Sequence, residues 1–206
     1  ANIPNSGILA NVLAGDYIVR VTDINGCTDT FALNIASYTP PIASLVNIDY
    51  CYDGTGSSFE VTVSGGVAPY QYSVNGSAYT SNNTFNNLVP GNYTVTVIDA
   101  YGCPVTLPTL TIAPQVAVST VLTKELDCTV SPDAVITGTI SNGYAPYTVT
   151  LIQGTGTVNL TGNTFTLTTD TDGAYQFRVT DANGCIVESY EETVSPIVPV
   201  IASIST

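Results

Sequence analysis

The sequence contains no histidine, tryptophan or methionine, and only Arg20, Lys124 and Arg178 carry positive charge. Each scarcity closes off some chemistry. Without histidine and with a single lysine, the usual bases that activate a serine or cysteine nucleophile are missing. Sixteen carboxylates leave a formal net charge of −13. The clustered cations that nucleic acids and anionic membrane surfaces require are therefore absent, and no apolar run reaches the roughly eighteen residues of a membrane-spanning helix. Charged residues make up 9% of the chain, against about a quarter in ordinary domains, so Thr, Ser and Asn must cover most of the surface. The five cysteines include no Cys-x-x-Cys pair, which argues against a zinc site. Disulfides in an oxidising, extracellular setting fit them better, with inert buried thiols as the alternative.

What is present is a threefold pattern. Gly15-Asp-Tyr-Ile-Val-Arg-Val-Thr-Asp-Ile-Asn-Gly-Cys27 returns as Gly91-Asn-Tyr-Thr-Val-Thr-Val-Ile-Asp-Ala-Tyr-Gly-Cys103 and as Gly173-Ala-Tyr-Gln-Phe-Arg-Val-Thr-Asp-Ala-Asn-Gly-Cys185. A spacing of some 80 residues is that of a small β-domain and is too long for one turn of a solenoid. Within each copy Tyr, Val or Phe occupies alternate positions, the period of a pleated strand with one apolar face. The following Asp-x-x-Gly reads as a hairpin turn, in which the Asp caps downstream amides and the Gly takes positive φ. A metal-ligand role for Asp23, Asp99 and Asp181 is the competing reading.

The array divides into residues 1–39, the back half of a repeat; 40–114 and 115–196, two full repeats; and 197–206, which resembles the opening strand of another. The first and last pieces lead one to expect a longer chain. The second repeat predicts strands at 42–50, 59–64, 70–74, 84–88, 92–98 and 105–112, with a weak one around Tyr79. The third predicts 116–122, 134–140, 147–152, 164–167, 174–180 and 186–194. About seven short strands per repeat, with turns every eight to twelve residues, describe an all-β fold of tandem Ig-like antiparallel β-sandwiches. Leu88-Val-Pro-Gly-Asn-Tyr93 and Val12-Leu-Ala-Gly-Asp-Tyr17 have the form of a tyrosine corner at the start of strand F, with a plain core Tyr as the alternative.

Gly65-Gly-Val-Ala-Pro-Tyr-Gln-Tyr-Ser-Val, followed by residues 88–103, resembles the SprB-type repeat of large Bacteroidota cell-surface adhesins and, more distantly, the polycystic-kidney-disease-like domain. That resemblance implies export by the type 9 secretion system and a role in adhesion or gliding motility. The third repeat departs from the pattern. Ser141-Asn-Gly replaces Ser-Gly-Gly, and Asp170-Thr-Asp-Gly replaces the corner motif, so duties tied to those loops are expected to differ there.

Asp170 and Asp172 with Glu125 and Asp127, or Glu188 with Glu191 and Glu192, are the only candidate acid pairs, and solvated turn charges explain them more simply. Asp170-Thr-Asp172-Gly173 faintly resembles the start of a calcium loop and is a weak signal for one. No cofactor is expected, and calcium stays open. The expected role is non-enzymatic.

Five cysteines remain as disulfide candidates. Cys51 and Cys128 fall at A to B turns, at the far pole of a sandwich, whereas Cys103 and Cys185 fall at F to G turns, at the near pole. A bond from Cys51 to Cys103 would have to span a strand's length, roughly 25 Å, against a limit of about 7 Å between Cα atoms. Far and near poles meet only across a junction. Cys51 is therefore expected to bond Cys185, leaving Cys27 and Cys103 for upstream partners and Cys128 for a downstream one; intradomain pairing is the alternative if the first strand is misplaced. The resulting expectation is a rigid, extended, disulfide-reinforced stalk at the cell surface whose partners are neighbouring repeats. The alternative is a module that binds surface polysaccharide or protein through exposed tyrosines, with Tyr101 and Tyr144 foremost among Tyr50, Tyr52 and Tyr79.

Overall fold

The computed structural model describes residues 8, 10–129 and 133–198, and most of the segment read as a further repeat's opening strand, 199–206, lies outside them. Among the described residues every regular element is a strand, and the sheets whose order is defined are antiparallel throughout. The first fragment is one hairpin, β1 (Gly15–Thr22) with β2 (Thr28–Ile35). Its Tyr17 and Val19 lie opposite Leu33 and Phe31, and Phe31 is 66% exposed.

In the second repeat β3 (Ile42–Asp49), β4 (Ser57–Ser64), β5 (Gln71–Val74), β6 (Thr84–Leu88), β7 (Gly91–Tyr93), β8 (Val95–Ile98), β9 (Pro104–Thr106) and β10 (Leu110–Ile112) follow in order. One layer is β3-β4-β6, the other is β5-β8-β9, and β7 pairs with β10. In the third repeat come β11 (Ala117–Lys124), β12 (Ala134–Ser141), β13 (Thr148–Gln153), β14 (Thr157–Thr161), β15 (Thr164–Thr169), β16 (Gly173–Thr180), β17 (Ile186–Glu188) and β18 (Glu192–Val194). Here the layers are β11-β12-β15-β14 and β13-β16-β17, with β18 also on β16. This is the ABED and CFG arrangement of an Ig-like sandwich.

Each repeat has its own core. Phe59, Val61, Val95 and Val97 fill the second, and Ile136, Phe165, Leu167, Phe177 and Val179 fill the third, all at 1% exposure or less. Each such side chain contributes about 1.5–3 kcal/mol by leaving water. Phe165 and Phe177 meet across the layers at 4.9 Å between centroids, while Phe59 packs on its cross-strand neighbour Phe85 in the same sheet at 5.1 Å.

Several expectations need correction. The strands expected at 92–98, 105–112 and 186–194 are each broken in two. At Thr94 the Asn75 side chain takes over the ladder, accepting the Thr94 amide at 2.8 Å. Pro108, which has no N–H to give, interrupts the last strand of the second repeat. In the third repeat the Ser189 hydroxyl accepts the Phe177 amide at 3.1 Å, filling a rung where the strand bulges. The weak strand around Tyr79 is only a bridge from Tyr72 to Thr80, so the second repeat lacks strand D. The third repeat has that strand, β14, which was not expected, although Thr-Val-Asn-Leu-Thr alternates plainly.

Nor does the third repeat abandon the loops in which its sequence differs. The Tyr175 hydroxyl donates to the Thr171 carbonyl at 2.7 Å, as Tyr93 does to Val89 at 2.6 Å and Tyr17 to Leu13 at 2.7 Å. The corner needs only a carbonyl four residues back, not the Leu-x-Pro-Gly sequence. Asn142 replaces Gly65 at nearly the same φ, 60° against 68°, because Asn tolerates the left-handed region.

The inter-repeat junction as candidate functional site

At the near pole of each full repeat one aspartate ties two turns together. Asp181 Oδ1 accepts the amides of Asn183 and Cys185, both at 2.9 Å, and Oδ2 accepts the amide of Tyr144 at 3.0 Å. Asp99 does the same with Tyr101 and Cys103 through Oδ1, and with Val67 through Oδ2. The backbone returns the contact, with Ala182 N–H donating to Tyr144 and Ala100 N–H to Val67. The carboxylate thus fixes the F to G turn, and its cysteine, against the B to C turn. Burial pushes the Asp99 carboxyl up, but the amide of Cys103, the hydroxyl of Tyr38 and the amides of Val67 and Tyr101 outweigh it and hold the pKa below the usual value. Gly143 is needed for this approach, since a Cβ there would lie 2.8 Å from that of Val116 and 2.9 Å from Asp181 Oδ2.

Onto this platform the second repeat docks its far pole. Cys51 follows β3, Cys185 follows the Asp181 turn, and the two are joined by a disulfide with Cα atoms 5.2 Å apart. Beside it the Tyr50 and Tyr144 rings meet edge to face at 5.7 Å. The Tyr144 hydroxyl donates to the Thr111 carbonyl and accepts the Ala113 amide, each at 2.7 Å, and Gly143 N–H donates to the Pro114 carbonyl at 3.1 Å. Burial pushes the Tyr144 pKa up, against the opposing effect of the Ala113 amide. The junction is therefore held by one covalent bond, one aromatic pair and three hydrogen bonds onto the end of β10 and the linker that follows it.

The junction before the second repeat is built differently. There Tyr38 Oη donates to Asp99 Oδ2 at 2.8 Å, and the Tyr38 and Tyr101 rings tilt together at 6.1 Å. Partial burial, the neighbouring Cys103 and the Asp99 charge all raise the Tyr38 pKa. Cys103 is half-buried beside them, while Cys27 and Cys128 are exposed, and none of the three is bonded within the described residues.

The structure separates the expected tyrosines. Tyr101 is 72% exposed. Tyr144 is not free to contact a ligand, because its ring packs on Tyr50 and its hydroxyl is saturated by the linker; Tyr50 and Tyr52 are half-buried as well. No local pattern marks this use of Tyr144, since its partners lie 31 and 33 positions away. Among the expected acid pairs, Glu188 forms an ion pair with Arg178 at 2.7 Å, Glu192 accepts the Thr120 hydroxyl, and Asp127 meets Lys124 at 3.1 Å. Exposed pairs of this kind are worth at most about 1 kcal/mol. Among the described residues no three Cys, Asp or Glu side chains are grouped to hold a metal.

No known family and no curated protein matches the sequence. Among solved structures, PcdhgB3 EC1-4 aligns over 87% of this chain and 63% of its own at 11% identity and a TM-score of 0.30. Extracellular cadherin domains 1-4 of protocadherin gamma B7 align over 90% and 66% at 8% identity and 0.29. SGBP-B of a Bacteroides ovatus mixed-linkage glucan utilization locus, in complex with a heptasaccharide, aligns over 78% and 48% at 12% identity and 0.26. The chain spans less than two thirds of each. Likeness at this level is too slight to speak to function.

Proposed function

We propose that this chain is a non-catalytic segment of a rigid extracellular array, in which each sandwich is fixed in line with the next. The observation that carries the reading is the Cys51–Cys185 bond, which joins the far pole of one repeat to the near pole of another. A disulfide of this kind belongs to an oxidising compartment. Together with the Tyr144 clamp, it removes the rotational freedom that a Pro-containing linker would otherwise leave. Cys103 and Cys27 occupy the position of Cys185, and Cys128 that of Cys51, so the same staple would join further repeats on either side. The resemblance to SprB-type repeats adds a specific setting: a Bacteroidota surface adhesin, exported by the type 9 system and used in adhesion or gliding.

A second reading, a module that binds surface polysaccharide, is favoured by the exposed ring of Tyr101 beside Tyr38. Nuclear relaxation of the whole chain, paired with a glycan array, tests both. A structural segment gives one rotational correlation time for residues 42–194 and no reproducible glycan signal. Independent tumbling of the two repeats, or binding lost in Tyr101→Ala, would overturn it.

A further inference from the structure

The Cys51–Cys185 bond offers tension a shorter covalent route than the polypeptide does. The two cysteines are 134 positions apart, so residues 52–184 all lie on the loop that the bond closes. Load arriving at Pro40 passes up β3 to Cys51, crosses to Cys185, and leaves along β17 and β18.

The direction of these strands matters. β3 starts at the near pole of its repeat, where Gly66 N–H donates to the Thr39 carbonyl at 2.8 Å, and its far end leads into Cys51. The last strand of the third repeat starts at Cys185, again at a near pole, and ends with Val194 paired to Gly173 at the opposite pole. Both strands run from near pole to far pole, and the bond joins the end of one to the start of the other. The route therefore advances along the array throughout, while the polypeptide doubles back through every hairpin.

We infer that the stapled pair of repeats is a tension bypass, in which two extended strands and one disulfide carry the load and the remaining ladders of both sandwiches stay out of the force path. Strands in a sheet already rise 3.2–3.4 Å per residue, against at most about 3.6 Å in a fully stretched chain. The eight residues of β3 can thus lengthen by only on the order of 2 Å before covalent geometry resists. The slack lies in the gap of Ser189 to Glu191 between β17 and β18. Without the bond, the same pull unravels both sandwiches and pays out the 133 enclosed residues, about 450 Å at roughly 3.4 Å each. The use of this routing in life rests on the structural role proposed above, but the routing itself depends only on the bond.

The test is single-molecule pulling of the full chain by fused handles at its two ends, oxidised and then reduced, with Cys51→Ala/Cys185→Ala as a second comparison. Oxidised molecules are expected to stiffen with no unfolding peak from the second and third repeats. Reduced molecules and the double variant are expected to unfold them and release about 450 Å more. Should the variant not fold, wild type before and after reduction carries the comparison alone. Unfolding peaks in the oxidised chain at the forces and lengths of the reduced one would overturn the inference. A bypass found together with independent tumbling of the repeats, or with glycan binding through Tyr101, would instead overturn the structural role and leave the routing intact.

Discussion

The hydroxyl of Tyr144, in the third repeat, accepts the amide of Ala113, in the linker, at 2.7 Å. One side chain thereby decides how the linker leaves the second repeat. Replacing it by Phe keeps the ring on Tyr50 but leaves the half-buried Ala113 amide and the Thr111 carbonyl without that partner. The expected cost is about 1–2 kcal/mol. In reduced protein Tyr144→Phe should also raise the relative motion of the two repeats, read by relaxation, while in oxidised protein the staple should mask most of that gain.

The Asp99 platform makes the second repeat sensitive to acid. A carboxylate whose folded pKa is lowered adds stability at pH above its unfolded value, about 3.9. That contribution is lost as pH falls through the lowered folded value. The second repeat should therefore lose stability below about pH 4. Tyr38→Phe removes one of the bonds that lower the pKa and should shift this acid transition to higher pH. Acid titration followed by the Tyr101 and Val67 amide signals checks both.

Gly138 lies opposite Phe165 in the β12–β15 ladder, and a Cβ at that position would collide with the Phe165 ring. The ring is 1% exposed and packed on Phe177, so it has no room to yield. Gly138→Ala should destabilise the third repeat by about 1–3 kcal/mol in urea denaturation. Adding Phe165→Leu should recover part of the loss if the ring is the obstacle.

Much of this was legible in the residues. The alternation in Tyr17, Val19 and Val21 and its two copies located strand F. The Asp-x-x-Gly after it located the turn, and sandwich topology then left Cys51 facing Cys185. These are period-two and turn signals, local by nature. What escaped is non-local. Asp99 reaches Val67 across 32 positions and Asp181 reaches Tyr144 across 37, so nothing in the turn motif itself announces a second set of amides. Two of the three broken strands depend on Asn75 and Ser189 side chains replacing backbone rungs, which an apolar pattern does not register. Tyr144 sits in a Gly-Tyr-Ala-Pro turn with nothing local to mark it, and only the fold turns it toward the linker. Strand β14 is a different case, since the period-two alternation of Thr157 to Thr161 is present in the residues themselves.

The most direct measurement is a non-reducing peptide map of the folded chain. A bond between the peptides that carry Cys51 and Cys185 is the result predicted by a staple across the junction, with Cys27, Cys103 and Cys128 alkylatable. Cys51 joined to Cys103 within one repeat, or Cys51 and Cys185 both recovered as free thiols, would contradict it.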